Sequence, residues 1–146
     1  MSPIRRFDHV GITVRDLDTV TDFFVGLGFE TEGRTVLEGE FLDTVVGIPH
    51  CRIEIVMLRP PGGGTGLELS RFLRPDHAPG SPDPMPNELG LRNVTFEVDD
   101  LQAILDRLSA DGYDLVGGVG EYEGSWRMAS VRGPEGLIVN VAQRLD

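Results

Sequence analysis

The chain repeats itself. Arg6 to Leu17 reads Arg-Phe-Asp-His-Val-Gly-Ile-Thr-Val-Arg-Asp-Leu, and Leu91 to Leu101 reads Leu-Arg-Asn-Val-Thr-Phe-Glu-Val-Asp-Asp-Leu. Moving the first copy on by 84 positions sets Val10 on Val94, Ile12 on Phe96, Val14 on Val98, Asp16 on Asp100 and Leu17 on Leu101. His9 falls on Asn93. A repeat of this length fixes the architecture before any single residue does, because each copy must fold as the same supersecondary unit. Both copies alternate. Val10, Ile12 and Val14 fall on one face of an extended strand, and His9, Gly11 and Thr13 on the other. The apolar face needs a cover, whereas the polar face is free to line a site.

The segments after the two copies are also alike. Asp16 or Asp18 can cap a helix over 17–27, with Leu17, Val20, Phe23, Phe24 and Leu27 on its apolar stripe. Asp99 or Asp100 does the same for a helix over 101–111, with Leu101, Ile104, Leu105 and Leu108 at helical spacing and Gly112 as its stop. After the first helix come strands over 29–36, 52–58 and 67–72, with 41–48 as a helical turn or loop plug. After the second come strands over 113–119, 127–132 and 137–142. Between the halves, residues 73–90 hold five prolines with Gly, Ser and Asp, the composition of a stiff linker. The expected organisation is therefore α+β: a first βαβββ module over 1–72, a linker over 73–90 and a second βαβββ module over 91–146. One face of each sheet is covered by a helix. The uncovered faces would make an open, sheet-lined cleft between the modules.

Composition narrows the partners. The net charge of −11 disfavours nucleic acid, whose phosphates demand a basic surface. All thirteen basic residues are arginine, which excludes lysine Schiff-base chemistry and a Walker-type phosphate lysine. No run approaches the roughly 18 apolar residues of a membrane span, and no apolar leader opens the sequence. With Cys51 as the single cysteine, no internal disulfide forms. A cytoplasmic location is expected.

Alternation collects the polar residues of the uncovered faces: His9 and Thr13; Glu68 and Ser70; Asn93, Thr95 and Glu97; and Asn140. His9 and Asn93 are equivalent in the repeat. So are Glu68 and Asn140, each on the last strand of its module. Four such positions converging on one cleft would have the geometry of a metal site. Glu68 and Glu97 also read as bases for proton abstraction beside a carbonyl, with Asn93 and Asn140 donating to an oxyanion. Trp126 and Arg127, beside Tyr122 in a Gly-bounded segment, are candidates to clamp or stack on a ligand, with Trp126 equally suited to a core or dimer contact. His50 and His77 fall in loops and are expected on the surface, and Cys51, at a strand start, is expected to be inert.

The chain resembles the vicinal oxygen chelate superfamily, which includes glyoxalase I, methylmalonyl-CoA epimerase, extradiol dioxygenases, fosfomycin-modifying enzymes and bleomycin resistance proteins. The resemblance rests on His-Val-Gly-Ile-Thr-Val-Arg-Asp-Leu at 9–17, Leu-Glu-Leu at 67–69, Asn-Val-Thr-Phe-Glu-Val-Asp-Asp-Leu at 93–101 and Gly-Pro-Glu-Gly-Leu-Ile-Val-Asn at 133–140. It spans essentially the whole chain and implies a homodimer binding a small molecule. It also implies a divalent metal (Zn²⁺, Ni²⁺, Co²⁺, Mg²⁺ or Mn²⁺) with His9 and Glu68 as ligands. The other two ligand positions hold Asn93 and Asn140, weak donors where the family commonly has His and Glu. The implied activity is that of a lyase or isomerase of the glyoxalase or epimerase kind, on a small carbonyl or thioester compound, with a degraded metal site. Extradiol dioxygenase chemistry, which uses two histidines and a carboxylate, fits less well. The alternative is a non-catalytic protein that sequesters an antibiotic, as bleomycin resistance proteins do.

Overall fold

The computed structural model describes residues 2–146 and divides into two units, Met1–Pro79 and Gly80–Asp146. In the first, β1 (His9–Thr13) leads into α1 (Leu17–Gly26), and then come β2 (Glu30–Glu38), α2 (Glu40–Val46), β3 (Arg52–Arg59) and β4 (Gly66–Arg74). The sheet order is β1-β4-β3-β2. β1 runs parallel to β4, and the other pairs are antiparallel. Asp16 starts α1, its carboxylate accepting from the Thr19 N–H at 3.1 Å and the Thr19 hydroxyl at 2.8 Å. Leu17, Val20, Phe23 and Phe24 then face inward. They share the core with Val56, Leu58, Leu67 and Leu69, all buried on the covered face of β3 and β4. Phe24 meets Phe23 and Phe29 edge to face, with ring centroids 5.2 and 5.4 Å away.

The segment left open in sequence, 41–48, is mostly helix. Its Leu42 packs with Cys51 and Ile53, extended by Ile48, Ile55 and Phe72. The Asp43 carboxylate accepts from the backbone N–H of His50 and Cys51, both at 2.9 Å, and ties the helix to the start of β3.

The second unit repeats the plan without a counterpart of α2. It comprises β5 (Asn93–Glu97), α3 (Leu101–Ala110), β6 (Gly120–Tyr122), β7 (Trp126–Arg132), a 3₁₀ turn (Pro134–Gly136) and β8 (Ile138–Arg144), in the order β5-β8-β7-β6. Asp100 caps α3 as Asp16 caps α1, accepting from the Ala103 N–H at 3.0 Å. One expectation is corrected. Residues 113–119 are not a strand: they touch the sheet through an isolated bridge, Leu115 to Val131, and the edge strand is the three-residue β6. Gly117 and Gly118 explain this, since they offer no side chain to pack on the pleat and lose the most entropy when extended. The proline-rich stretch is held by Arg132, whose guanidinium donates to the carbonyl oxygens of Pro84 and, at 3.0 Å, Gly136. No helix among the described residues is long and apolar enough to cross a membrane.

Candidate functional site

Each sheet has a face not covered by its long helix, and strand register says which residues share it. In the first unit, Gly11 lies opposite Glu68, and Thr13 opposite Ser70. Glu68 in turn lies opposite Met57, and Ser70 opposite Ile55. Partners across a sheet project to the same face. His9, Thr13, Glu68 and Ser70 are therefore brought together beside an apolar bed of Ile55 and Met57. His9 is the centre of this group. Its Nδ1 donates to Asp8 at 2.8 Å, while its Nε2 stands 3.7 Å from Glu68 Oε2. The hydrogen bond from His9 holds the Asp8 carboxyl below the usual carboxylate range. Ser70 Oγ donates to Glu68 Oε1 at 3.4 Å. With Nδ1 occupied, Nε2 is the ring nitrogen that faces Glu68.

The second unit shows the same register. Thr95 lies opposite Asn140, as Gly11 lies opposite Glu68. Here the groups are neutral. The Thr95 hydroxyl donates to Asn93 Oδ1 at 2.8 Å and the Ser130 hydroxyl to Asn140 Oδ1 at 2.6 Å. Glu97 ends β5 on the same face, opposite Ala142, and is exposed. Tyr122 pairs with Trp126, which pairs with Arg144, whose guanidinium carbon sits 4.6 Å from the Trp126 ring centre. Arg127 comes directly after Trp126 in an extended strand and so projects to the opposite face, where it ion-pairs with Glu121 at 2.8 Å. Trp126 and Arg127 are thus not brought together.

Sequence reasoning passed over Asp8, Ser130 and Arg144. Asp8 was visible only as the neighbour of His9. It precedes β1, so strict alternation does not carry it to the other face. Ser130 had a signal, being two residues after Met128 and four after Trp126 on one strand face. Arg144 lay beyond the expected end of its strand. His50 and Cys51 are used by their backbone N–H groups, and burial pushes the Cys51 thiol pKa up, consistent with an inert thiol.

A tightly held divalent metal wants three or four strong donors. The first unit offers one imidazole and one carboxylate in register, and no group of three His, Cys, Asp or Glu suited to a metal occurs among the described residues. The two repeat-equivalent positions carry amides whose oxygens already accept hydroxyl hydrogen bonds. The donor set does not fit a transition-metal centre.

The model of the glyoxalase/bleomycin resistance protein/dioxygenase superfamily matches residues 6–141. A glyoxalase family protein from Bacillus cereus is 37% identical, with 99% of this chain and 97% of that one covered and a TM-score of 0.94. An antibiotic-binding protein from Streptomyces is 21% identical, with 99% of each chain covered and a TM-score of 0.64. A fosfomycin resistance protein from Listeria monocytogenes, solved with Mn(II), is 12% identical, with 94% of this chain and 89% of that one covered and a TM-score of 0.60. The last two likenesses are of fold. No curated protein matches.

Proposed function

The chain belongs to the glyoxalase/bleomycin resistance protein/dioxygenase superfamily, and from that premise we propose that it is a lyase or isomerase acting on a small carbonyl or thioester compound at the open face of its first sheet. The observation that carries this reading is His9, held through Nδ1 by Asp8 and facing Glu68 through Nε2 at 3.7 Å. Glu68 is half-buried and takes the proton from the carbon beside the substrate carbonyl. The C–H bonding pair moves into the new C=C bond, the carbonyl π pair moves onto oxygen, and that oxygen takes the proton that His9 carries on Nε2 in its imidazolium form. Where that carbon carries a hydroxyl, the hydroxyl gives its proton to His9 as Glu68 delivers a proton to the neighbouring carbon, and the compound is isomerised; return of the proton to the first carbon from the same face restores the starting compound. Ser70 and Thr13 flank the reacting centre, Ser70 orienting the Glu68 carboxylate. Ile55 and Met57 receive the apolar part of the substrate. No step requires a tightly held metal.

The test is solvent exchange. The protein is incubated in D₂O with a panel of hemithioacetals and 2-substituted acyl thioesters, and deuterium uptake at carbon is monitored by mass spectrometry. One class should exchange, with the rate undiminished by a chelator. Glu68→Gln should lower the rate by roughly 10²–10⁴-fold, the usual contribution of a positioned base. A fully active Glu68→Gln protein, or chelator-sensitive exchange, would overturn the mechanism.

A second reading is sequestration without chemistry, favoured by the apolar Ile55–Met57 bed and by the neutral amides in the second unit. The Streptomyces protein is named for antibiotic binding. On this reading a natural-product panel would raise the melting temperature, no substrate would exchange, and Glu68→Gln would leave both results unchanged. A homodimer and a cytoplasmic location complete the proposal, checked by light scattering and by cell fractionation.

A further inference from the structure

The second unit carries a groove on the side of its sheet that faces α3, away from Asn93 and Asn140. It has a volume of about 480 Å³, within the range of small-molecule sites. It arises where residues 113–119 leave the sheet. In the first unit the chain leaving α1 pairs along β3 as the nine-residue β2. In the second, residues 113–119 reach β7 by one bridge only, and a space opens between them and the helix. Gln102, Leu105, Asp106 and Ser109 line it from one face of α3, at the i, i+3, i+4, i+7 spacing of a single helix surface. Leu105 and Val131 form an apolar floor, and Leu115 and Val119 add apolar walls that remain 40% and 45% exposed. Asp106 and Asp114 bring carboxylates to the lining. Neither is in an ion pair among the described residues, and Asp106 accepts only from Gln102, at 2.8 Å. No arginine or histidine lines the groove.

We infer that this groove is a second binding site, for a small organic cation: an amine or quaternary ammonium group on an apolar body. Burying the body covers Leu115 and Val119, and the cation meets two carboxylates that lack a counter-charge. Tyr113 completes the lining next to Asp114. The electrostatics reject anions. This site is independent of the proton-transfer reading, since none of its residues lies in the first unit.

The experiment uses the full ¹⁵N-labelled chain and three probes of one shape: 3-phenylpropyl-trimethylammonium, 3-phenylpropanol and 3-phenylpropionate. Amide shifts at Gln102, Asp106 and 114–119 should move and saturate with the ammonium. The alcohol should bind about tenfold more weakly, and the carboxylate should leave these shifts unmoved. Asp106→Asn with Asp114→Asn should weaken the ammonium about tenfold or more, while its spectrum elsewhere and any Glu68-dependent exchange stay as in the parent. Equal binding of the three probes, undiminished binding by the double variant, perturbations centred on β1 and β4, or no shift at millimolar probe would each overturn the inference.

Discussion

Gly136→Ala is expected to destabilise the second unit well beyond an ordinary glycine replacement, and Gly112→Ala supplies the yardstick. Both residues have positive φ, +77° and +90°. A left-handed alanine costs about 1–2 kcal/mol, offset by about 0.4–1 kcal/mol from the smaller entropy of the unfolded chain. At Gly112, just after α3, a Cβ meets nothing within 4 Å, so that balance, about 1 kcal/mol, is the whole expected effect. At Gly136 the Cβ would overlap the Pro82 carbonyl oxygen, with Pro84 Cδ only 3.1 Å away. The obstacle is backbone and is not free to yield. Two residues on, the Pro84 carbonyl is held by Arg132, which also donates to the Gly136 carbonyl. Relieving the overlap means loosening that clamp. Overpacking of this kind adds about 1–3 kcal/mol, for a total of about 2–4 kcal/mol.

Trp126 is the only tryptophan and lies in the same unit, so its fluorescence in urea reports the unfolding that matters. With a slope of about 2 kcal/mol per molar urea, the midpoint of Gly136→Ala should fall about 1 M below that of Gly112→Ala. Equal midpoints for the two variants would refute the claim that Gly136 is fixed by its contact with the proline-rich stretch.

Leu69→Ala removes a side chain with 0% exposure beside α1 and should cost about 2–5 kcal/mol in chemical denaturation monitored by circular dichroism. Cys51 is 1% exposed and its thiol pKa is raised by burial, so it should resist a thiol reagent at pH 8 in the native protein and react at once in urea. Asp43→Ala, which removes the acceptor for the Cys51 N–H, should raise the native reaction rate. The Asp16 carboxyl is held below its usual 3.8 by the Thr19 N–H and hydroxyl. A carboxyl with a lowered folded-state pKa contributes stability fully above its unfolded value, and that contribution is lost as pH falls through the folded value. The melting temperatures of the parent and Asp16→Asn should therefore differ at pH 6 and converge below pH 3.8. A gap that persists in acid would mean that the cap does not act through its charge.

The fold was legible because its repeat and its alternation are both properties of the chain alone. Val10, Ile12 and Val14 alternate in a strand, Leu101, Leu105 and Leu108 recur on a helix, and Asp16 and Asp100 cap where expected. The strand expected at 113–119 failed for a reason local pattern does not carry. Its edge pairing depends on what β7 offers, and two adjacent glycines let the chain leave the sheet. The site was half legible. Alternation places His9 with Glu68 and Asn140 with Thr95, because register inside a sheet is tied to the period of two. It does not reach Asp8, which lies outside the strand, nor Ser130, whose relevance depends on which strand pairs with β8. Trp126 and Arg127 show the opposite error, in which neighbours in sequence were treated as neighbours in space.

The exchange of His9 and Glu68 for Asn93 and Asn140 in the repeat changes the chemistry of the second sheet rather than emptying it. An amide has an acceptor oxygen and a donor NH₂. In both asparagines the oxygen already accepts from a hydroxyl, of Thr95 or Ser130. That leaves the Nδ2 groups as the free polar ends, so the open face of the second sheet presents donors. The first presents the opposite: the acceptor oxygens of Glu68, with His9 Nε2 beside them. A transition metal needs acceptors at all its ligand positions, whereas enolisation needs a base at carbon and donors at oxygen. Asn93 and Asn140 cannot be deprotonated at working pH, and their oxygens are engaged. Within one repeated register, the second sheet carries two proton donors where the first carries two electron-pair donors.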